Sequence, residues 1–242
     1  MSHPAAPRVL CLDRVDSTQA VAFALAAAGA ADRTVVVADS QAAGRGRRGR
    51  TWIDEPGASL LASVLLRPRL ELARLPLLSL AAAVAVAEAL AETAGLVPRL
   101  KWPNDVLVGG RKIAGILLES RLGPAPLVVL GIGINLAQRT FPLALTERAT
   151  SVALETGRSA DRETLLSALL EALDRRRGDL ERGALAEVLQ RWRALSDTLG
   201  RTVTIDEVHG VAADIDDDGA LVVADGDRRR RVVAGELGEV TR

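Results

Sequence analysis

The stretch LPLLSLAAAVAVAEALAETAG, residues 75–95, is apolar on almost every side of any helix it forms. Such a helix has no broad face for water and must be buried, in a membrane or in the middle of a protein core. Its uninterrupted apolar part is short for a bilayer span, and Glu88 and Glu92 interrupt the remainder. The stretch therefore predicts a buried helix over about 73–94, stopped by Gly95, with the fold packed around it. A chain of 242 residues can supply that core. Its 48% hydrophobic content and formal net charge of zero fit a soluble globular protein and exclude a disordered one.

The segments on either side read as alternating strands and helices. RVLCLDRV (8–15) is a strand, and DSTQAVAFALAAAG (16–29) a helix with Asp16, Ser17 or Thr18 at its N-cap and Gly29 beyond its end. RTVVVADS (33–40) and ASLLASVLLRP (58–68) are strands. RLKWPNDVLVGGRKIAGILLES (99–120) reads as strand, proline turn, strand, Gly-Gly hairpin and strand. PLVVLGIGINL (126–136) is a further strand, 137–150 a loop, and 162–181 and 184–196 amphipathic helices. After about residue 195 short alternating runs with Asp-Gly turns predict a small all-β unit of four or five strands. The expected architecture is α+β: a mixed-sheet domain over 1–195 and a β domain over 196–242. Arg228–Arg231 falls on one of the β unit's strands, as solvated charge rather than a docking site for an acidic partner.

Cys11, the single cysteine, excludes an internal disulfide and fits a reducing cytoplasm; its apolar surroundings predict buried strand filler. The N-terminus shows no signal-peptide pattern. His3 and His209, the only histidines, lie in unrelated contexts, so neither a zinc site nor a Ser–His nucleophile is assembled. A chain without an obvious nucleophile favours chemistry in which bound substrates react with each other under electrostatic control.

The basic residues are distributed unevenly. Of 31 Lys and Arg, only Lys101 and Lys112 are lysines, and the only two asparagines are Asn104 and Asn135. Two of the three tryptophans, Trp52 and Trp102, stand nearby in sequence or at the end of an arginine-rich loop. Lysine is a compact ammonium where arginine is a planar fork, so a chain this rich in arginine points to the two lysines as places needing the compact ion. The loop itself, AAGRGRRGRTW (42–52), combines glycines that let backbone approach a ligand, guanidiniums suited to carboxylate or phosphate, and an indole that offers a flat face to a purine. Gly44-x-x-x-x-Gly49-Arg50-Thr51 nearly matches a phosphate-binding P-loop, but Arg50 replaces the lysine and no helix comes after it. In KWPNDVLVGGRKIAG (101–115), Asn104 offers both donor and acceptor, Asp105 suits Mg²⁺ or a polar partner, and the lysines set positive charge beside an anion. Gly131 and Gly133 lack the third glycine of a dinucleotide fingerprint, because position 136 is Leu.

Four pieces together, DSTQ (16–19), QAAGRGRRGRTW (41–52), KWPNDVLVGGRKIAGILLE (101–119) and GIGIN (131–135), resemble biotin protein ligases, and the small β unit resembles their SH3-like C-terminal domain. The resemblance spans nearly the whole chain and is to the short, ligase-only type that lacks a DNA-binding helix-turn-helix. It implies a cytoplasmic enzyme that uses ATP and Mg²⁺ to make biotinyl-5′-AMP and passes biotin to a lysine of a biotin carboxyl carrier protein, without DNA or membrane. By the same resemblance Ser17, Thr18 and Gln19 meet the biotin ureido ring, and Gln41, Arg45, Gly46, Arg47 and Gly115 line the biotin site. Lys112 and Arg47 serve catalysis, with Lys112 on the biotin carboxylate and the developing acyl phosphate. Trp52 stacks on adenine, Asn104 and Asn135 lie on the nucleotide side, Arg50 meets phosphate, and Asp105 meets phosphate or metal.

The chain departs from the family at Gln19, often Asn, and at Val240, where an Arg usually stands four positions after a Glu that Glu236 matches. The nearest rival is a lipoate or octanoate ligase or transferase, which shares the catalytic fold but has a longer apolar tunnel and lacks the Arg-loop and Trp-Pro-Asn-Asp signatures. A module gripping RNA or an acidic protein through the Arg loop is the rival of another class, and neutral net charge counts against it.

Overall fold

The computed structural model describes residues 7–122, 126–235 and 237, so His3, Glu236 and Val240 lie outside the described residues. Strands β1 (Val9–Val15), β2 (Val35–Gln41), β3 (Ser59–Leu66), β4 (Arg99–Lys101), β5 (Asp105–Val108), β6 (Arg111–Arg121) and β7 (Leu127–Asn135) form one sheet, ordered β1-β2-β3-β7-β6-β5-β4. Only β1 and β2 run parallel, joined by the crossover helix α1 (Thr18–Ala27); the other neighbours are antiparallel.

The Ala-rich stretch is α2 (Leu77–Ala94), and twelve of its residues are buried. Regular helix begins at Leu77 rather than near 73 because Pro76, with no N–H to give, stands at its start after a 3₁₀ turn over Leu72–Arg74. Gly95 closes it in the left-handed conformation, φ 64°. A short helix the pattern did not announce, α3 (Val152–Thr156), comes after the 137–150 loop and is capped by Ser151 Oγ, which accepts the Leu154 N–H. The amphipathic helices are α4 (Arg162–Glu181) and α5 (Leu185–Leu195), and both pack on α2.

Alternation along the strands gives the sheet two different faces. Leu60, Ala62, Val64, Leu130, Ile132, Ala114 and Ile116 join the large core under α2. The opposite face is covered at one side by α1, whose Ala22 and Phe23 meet Val36 and Val129. Its remainder is bare, and register defines it. Leu61 pairs with Gly133, Gly133 with Gly115, Gly115 with Asp105, and Asp105 with Lys101, so one row crosses five strands on the same face.

Cys11 is exposed, not buried. It lies on β1, an edge strand with a neighbour on one side only, and Val9 and Leu10 beside it are exposed as well. An apolar run next to a buried strand looks the same in sequence whether or not another layer covers it.

The C-terminal unit is an antiparallel sheet of β8 (Thr202–Ile205), β9 (Val208–Ile215), β10 (Leu221–Asp225) and β11 (Arg228–Val232). Arg228–Arg231 is exposed on β11, with Arg231 held by Asp216 and Asp218 of the same unit. Its interior, Val203, Ile205, Leu221 and Val223, is continuous with the main core. Strand β4 is the joint: the Asp197 N–H donates to Leu100 O (2.8 Å), Trp102 N–H to Thr198 Oγ1 (2.9 Å), and the Trp102 indole to Gly219 O (3.1 Å).

Candidate active site

Every residue singled out above as a site candidate, from Ser17 to Asn135, lines one cavity of about 700 Å³ over the bare face of the sheet. Its floor exists because three residues lack a side chain. A Cβ on Gly131 would come 3.0 Å from the Gln19 side chain, and one on Gly133 would come 2.7 Å from the Trp52 ring. One on Gly115 would meet Lys112 at 3.0 Å and Trp52 at 3.1 Å. The glycines thus act by close approach of side chains to the sheet, not as a nucleotide fingerprint.

At one end, the start of α1 is buried and hydrogen-bonded. Ser17 occupies the N-cap position without a side-chain capping bond. Gln41 supplies an acceptor instead: its Oε1 takes both the Thr18 N–H (2.8 Å) and the Thr18 hydroxyl (3.0 Å), while Ser63 Oγ donates to Thr18 Oγ1 (2.8 Å). Gln19 Nε2 reaches Leu117 O at 3.1 Å and Val129 O at 3.3 Å. The Gln41 N–H is received by Asp54 Oδ2 at 3.2 Å, and burial pushes the Asp54 carboxyl above its ordinary value despite that bond.

The Arg loop covers the cavity as a tight hairpin. Gly46 N–H donates to Arg50 O, Trp52 N–H to Gly44 O, and Arg48 turns the chain with φ 54°. Extended backbone and β3 come after it, so the helix a P-loop needs is absent. Its side chains tie it down at separate points. Arg45 forks onto Glu119 of β6 (2.8 and 3.1 Å), Arg47 donates to Asn104 Oδ1 (3.3 Å), and Arg48 reaches Asp206 of the C-terminal unit (3.3 Å). Trp52 lies on the glycine floor with its indole N–H buried and unpaired among the described residues.

Beyond Trp52 the charges concentrate. Lys112 Nζ stands 2.6 Å from Asp105 Oδ1 and 5.8 Å from the Trp52 ring centroid. Asn104 Nδ2 donates to Ile116 O, so its amide fixes the turn while its oxygen steadies Arg47. Asn135 Nδ2 donates to Thr150 O (2.9 Å) and holds the 137–150 loop against the cavity. No group of three or more His, Cys, Asp or Glu is assembled among the described residues, and Asp105 is engaged by Lys112. This donor set does not suit a metal held by protein carboxylates alone.

Several lining residues carry no mark in the sequence. Phe141, Leu145 and Arg148 come from the loop, and Asp197, Thr198, Arg201 and Leu237 from the C-terminal unit and its approach. The one available signal is Phe141, one of only two phenylalanines in the chain. In all, seven cationic side chains and three carboxylates face this cavity in a chain of zero net charge. The site is built for anions.

A bare sheet face with a polar acid end, an arginine lid and a lysine at the centre defines a class of acyl-activating ligase, and sequence comparison agrees. Residues 11–135 match the Biotin/lipoate A/B protein ligase family and residues 198–237 the Biotin protein ligase C terminal domain; the chain belongs to this family. It is 40% identical over 239 residues to the Biotin–[acetyl-CoA-carboxylase] ligase of Paracoccus denitrificans, covering 93% of this chain and 98% of that protein. It is 39% identical over 236 residues to that of Mycobacterium tuberculosis, covering 91% and 85%. The structure of the biotin protein ligase from Aquifex aeolicus in complex with biotin and ATP superposes with a TM-score of 0.84 at 30% identity, covering 96% of this chain and 97% of that one.

Proposed function

We propose that this chain is a biotin–[carboxylase carrier protein] ligase, which condenses biotin with ATP to biotinyl-5′-AMP and transfers the acyl group to a carrier lysine. The observation that carries the reading is the row across the sheet. A polar pocket of buried Thr18 and Gln19 with half-buried Gln41 passes into an indole on a glycine floor and then into Lys112 and Asp105. A ureido ring, with N–H donors and a carbonyl, matches a pocket of buried amide and hydroxyl groups. A lipoyl dithiolane or an octanoyl chain has no N–H or carbonyl at that end to meet them.

Two anions must meet in the first step. The biotin carboxylate oxygen forms a bond to the α-phosphorus, and the bond to the bridging β-oxygen breaks, its electron pair leaving with pyrophosphate. Lys112 and Arg47 offset the repulsion, each lowering the barrier by ~2–4 kcal/mol as preorganised electrostatic groups do. Magnesium enters as the counter-ion of ATP. The closed Arg loop then keeps water from the mixed anhydride until a carrier lysine attacks the acyl carbon and AMP departs. The two units divide near residue 195, with the first carrying the acid and nucleoside sites.

ATP–pyrophosphate exchange with Mg²⁺ tests this, with biotin, lipoate and octanoate supplied separately. Exchange that needs biotin is the expected result. Exchange with lipoate or octanoate in its place would keep the chemistry and replace the substrate. No exchange with any acid, from folded protein, would end the ligase reading.

A further inference from the structure

We propose that Lys101, with Arg201 from the C-terminal unit, receives the pyrophosphate that leaves in the adenylation step; the proposal rests on the ligase reading. Both lysines of the chain stand beside one carboxylate. Asp105 is paired in register with Lys101 and bonded to Lys112 at 2.6 Å. One carboxylate cannot neutralise two ammoniums, and the bond goes to Lys112. Among the described residues Lys101 has no ion-pair partner, yet it is half-buried and lines the cavity. Leaving a partly desolvated ammonium unpaired is costly unless an anion arrives.

Position says which anion. Lys101 sits two strands beyond Gly115 in the row, about 10 Å at ordinary strand spacing. In phosphoryl transfer the attacking and leaving oxygens stand on opposite sides of phosphorus. With the acid entering from the Gln19 end and Lys112 at the centre, the leaving group points toward β4 and Lys101. There Asp197, Thr198 and Arg201 close the cavity, with Arg201 held by Asp197. Lys101 is also fixed from both sides. Its neighbours Leu100 and Trp102 are the residues to which the C-terminal unit and its approach are bonded. The C-terminal unit thereby supplies one cation and sets the base of the other.

The test separates the half-reactions. In Lys101→Gln the single-turnover rate of biotinyl-5′-AMP formation should fall on the order of 10²-fold. The pyrophosphate concentration that half-saturates the reverse reaction should rise about tenfold for the lost charge-assisted contact. Transfer from supplied biotinyl-5′-AMP to carrier protein involves no pyrophosphate and should stay at the wild-type rate, which also certifies the fold. Arg201→Gln should show the same pattern more weakly, and Lys101→Arg should recover part of the loss. Equal slowing of both half-reactions in Lys101→Gln, or unchanged biotinyl-5′-AMP formation, overturns the proposal alone. A wild type that makes no biotinyl-5′-AMP overturns the ligase reading and the proposal with it.

Discussion

The two ends of the cavity are held by different kinds of bond. At the α1 end Ser17, Thr18 and Gln19 are at most 5% exposed, and Thr18 and Gln19 are bonded to Gln41, Ser63 and backbone carbonyls. At the other end the Arg loop is tied by Arg47–Asn104 and by two ion pairs, Arg45–Glu119 and Arg48–Asp206, whose side chains are 32% to 62% exposed. Breaking a buried polar contact strands a desolvated group, at about 1–3 kcal/mol. An exposed ion pair is worth about 0–1 kcal/mol. On the proposed function, the first end is the rigid one and selects the acid. On the same reading, the two exposed ion pairs are weak enough to part when ATP and the carrier lysine enter.

Variants can break that contrast. If Lys112 serves both half-reactions as proposed, Lys112→Ala should lower both, on the order of 10²–10³-fold in single-turnover rates. Gln41→Ala should weaken biotin binding in calorimetry by about 10–100-fold, the worth of one to two buried hydrogen bonds, with ATP affinity nearly unchanged. Equal losses for the two substrates would show that the ends are not separate. Gly133→Ala puts a methyl into the Trp52 ring, which must lift off the sheet. An overpacking cost of about 1–3 kcal/mol should appear mainly as a roughly tenfold rise in KM for ATP. Glu119→Gln should speed release of biotinyl-5′-AMP less than about fivefold, since an exposed pair is lost, and make release less salt-dependent than in the wild type.

The smallest effect concerns Asp54, which accepts the Gln41 N–H. Burial raises its folded-state carboxyl above the ordinary value. Its contribution to stability is then fully present below the unfolded carboxylate range and is lost as pH rises through the raised folded value. Asp54→Asn, which keeps an acceptor for the Gln41 N–H, should match or slightly exceed the wild-type melting temperature at pH 7. The gap should close toward pH 4. A variant less stable than wild type at pH 7 would mean the carboxylate charge itself is wanted there.

Much of the cavity is legible in the sequence because its parts lie in short, spaced runs. The glycines of GIGIN, Lys112 and the Arg loop stand out locally, and the α+β order comes from alternating patterns. The hidden part depends on contacts between distant segments. Gln41 capping Thr18 joins residues 23 positions apart, and nothing local marks it. Arg201 looks like any of its many fellow arginines until the C-terminal unit is seated on β4. Cys11 contradicts its apolar surroundings because β1 has the composition of an inner strand and the position of an edge.

Helix α2 carries a consequence for how the site is supported. Half of its twelve buried residues are alanines, and α4, α5 and strands β4, β5 and β6 all pack against it. Alanine has no rotamers to freeze, so burying it loses no side-chain entropy, whereas a buried leucine loses about 0.5–1 kcal/mol. The helix gains its order at low entropic cost, and for the same reason it has no slack. An added methyl at fully buried Ala83 or Ala85 has no empty space to enter, so the packing of α2 against its neighbours, the sheet that floors the cavity among them, must give way.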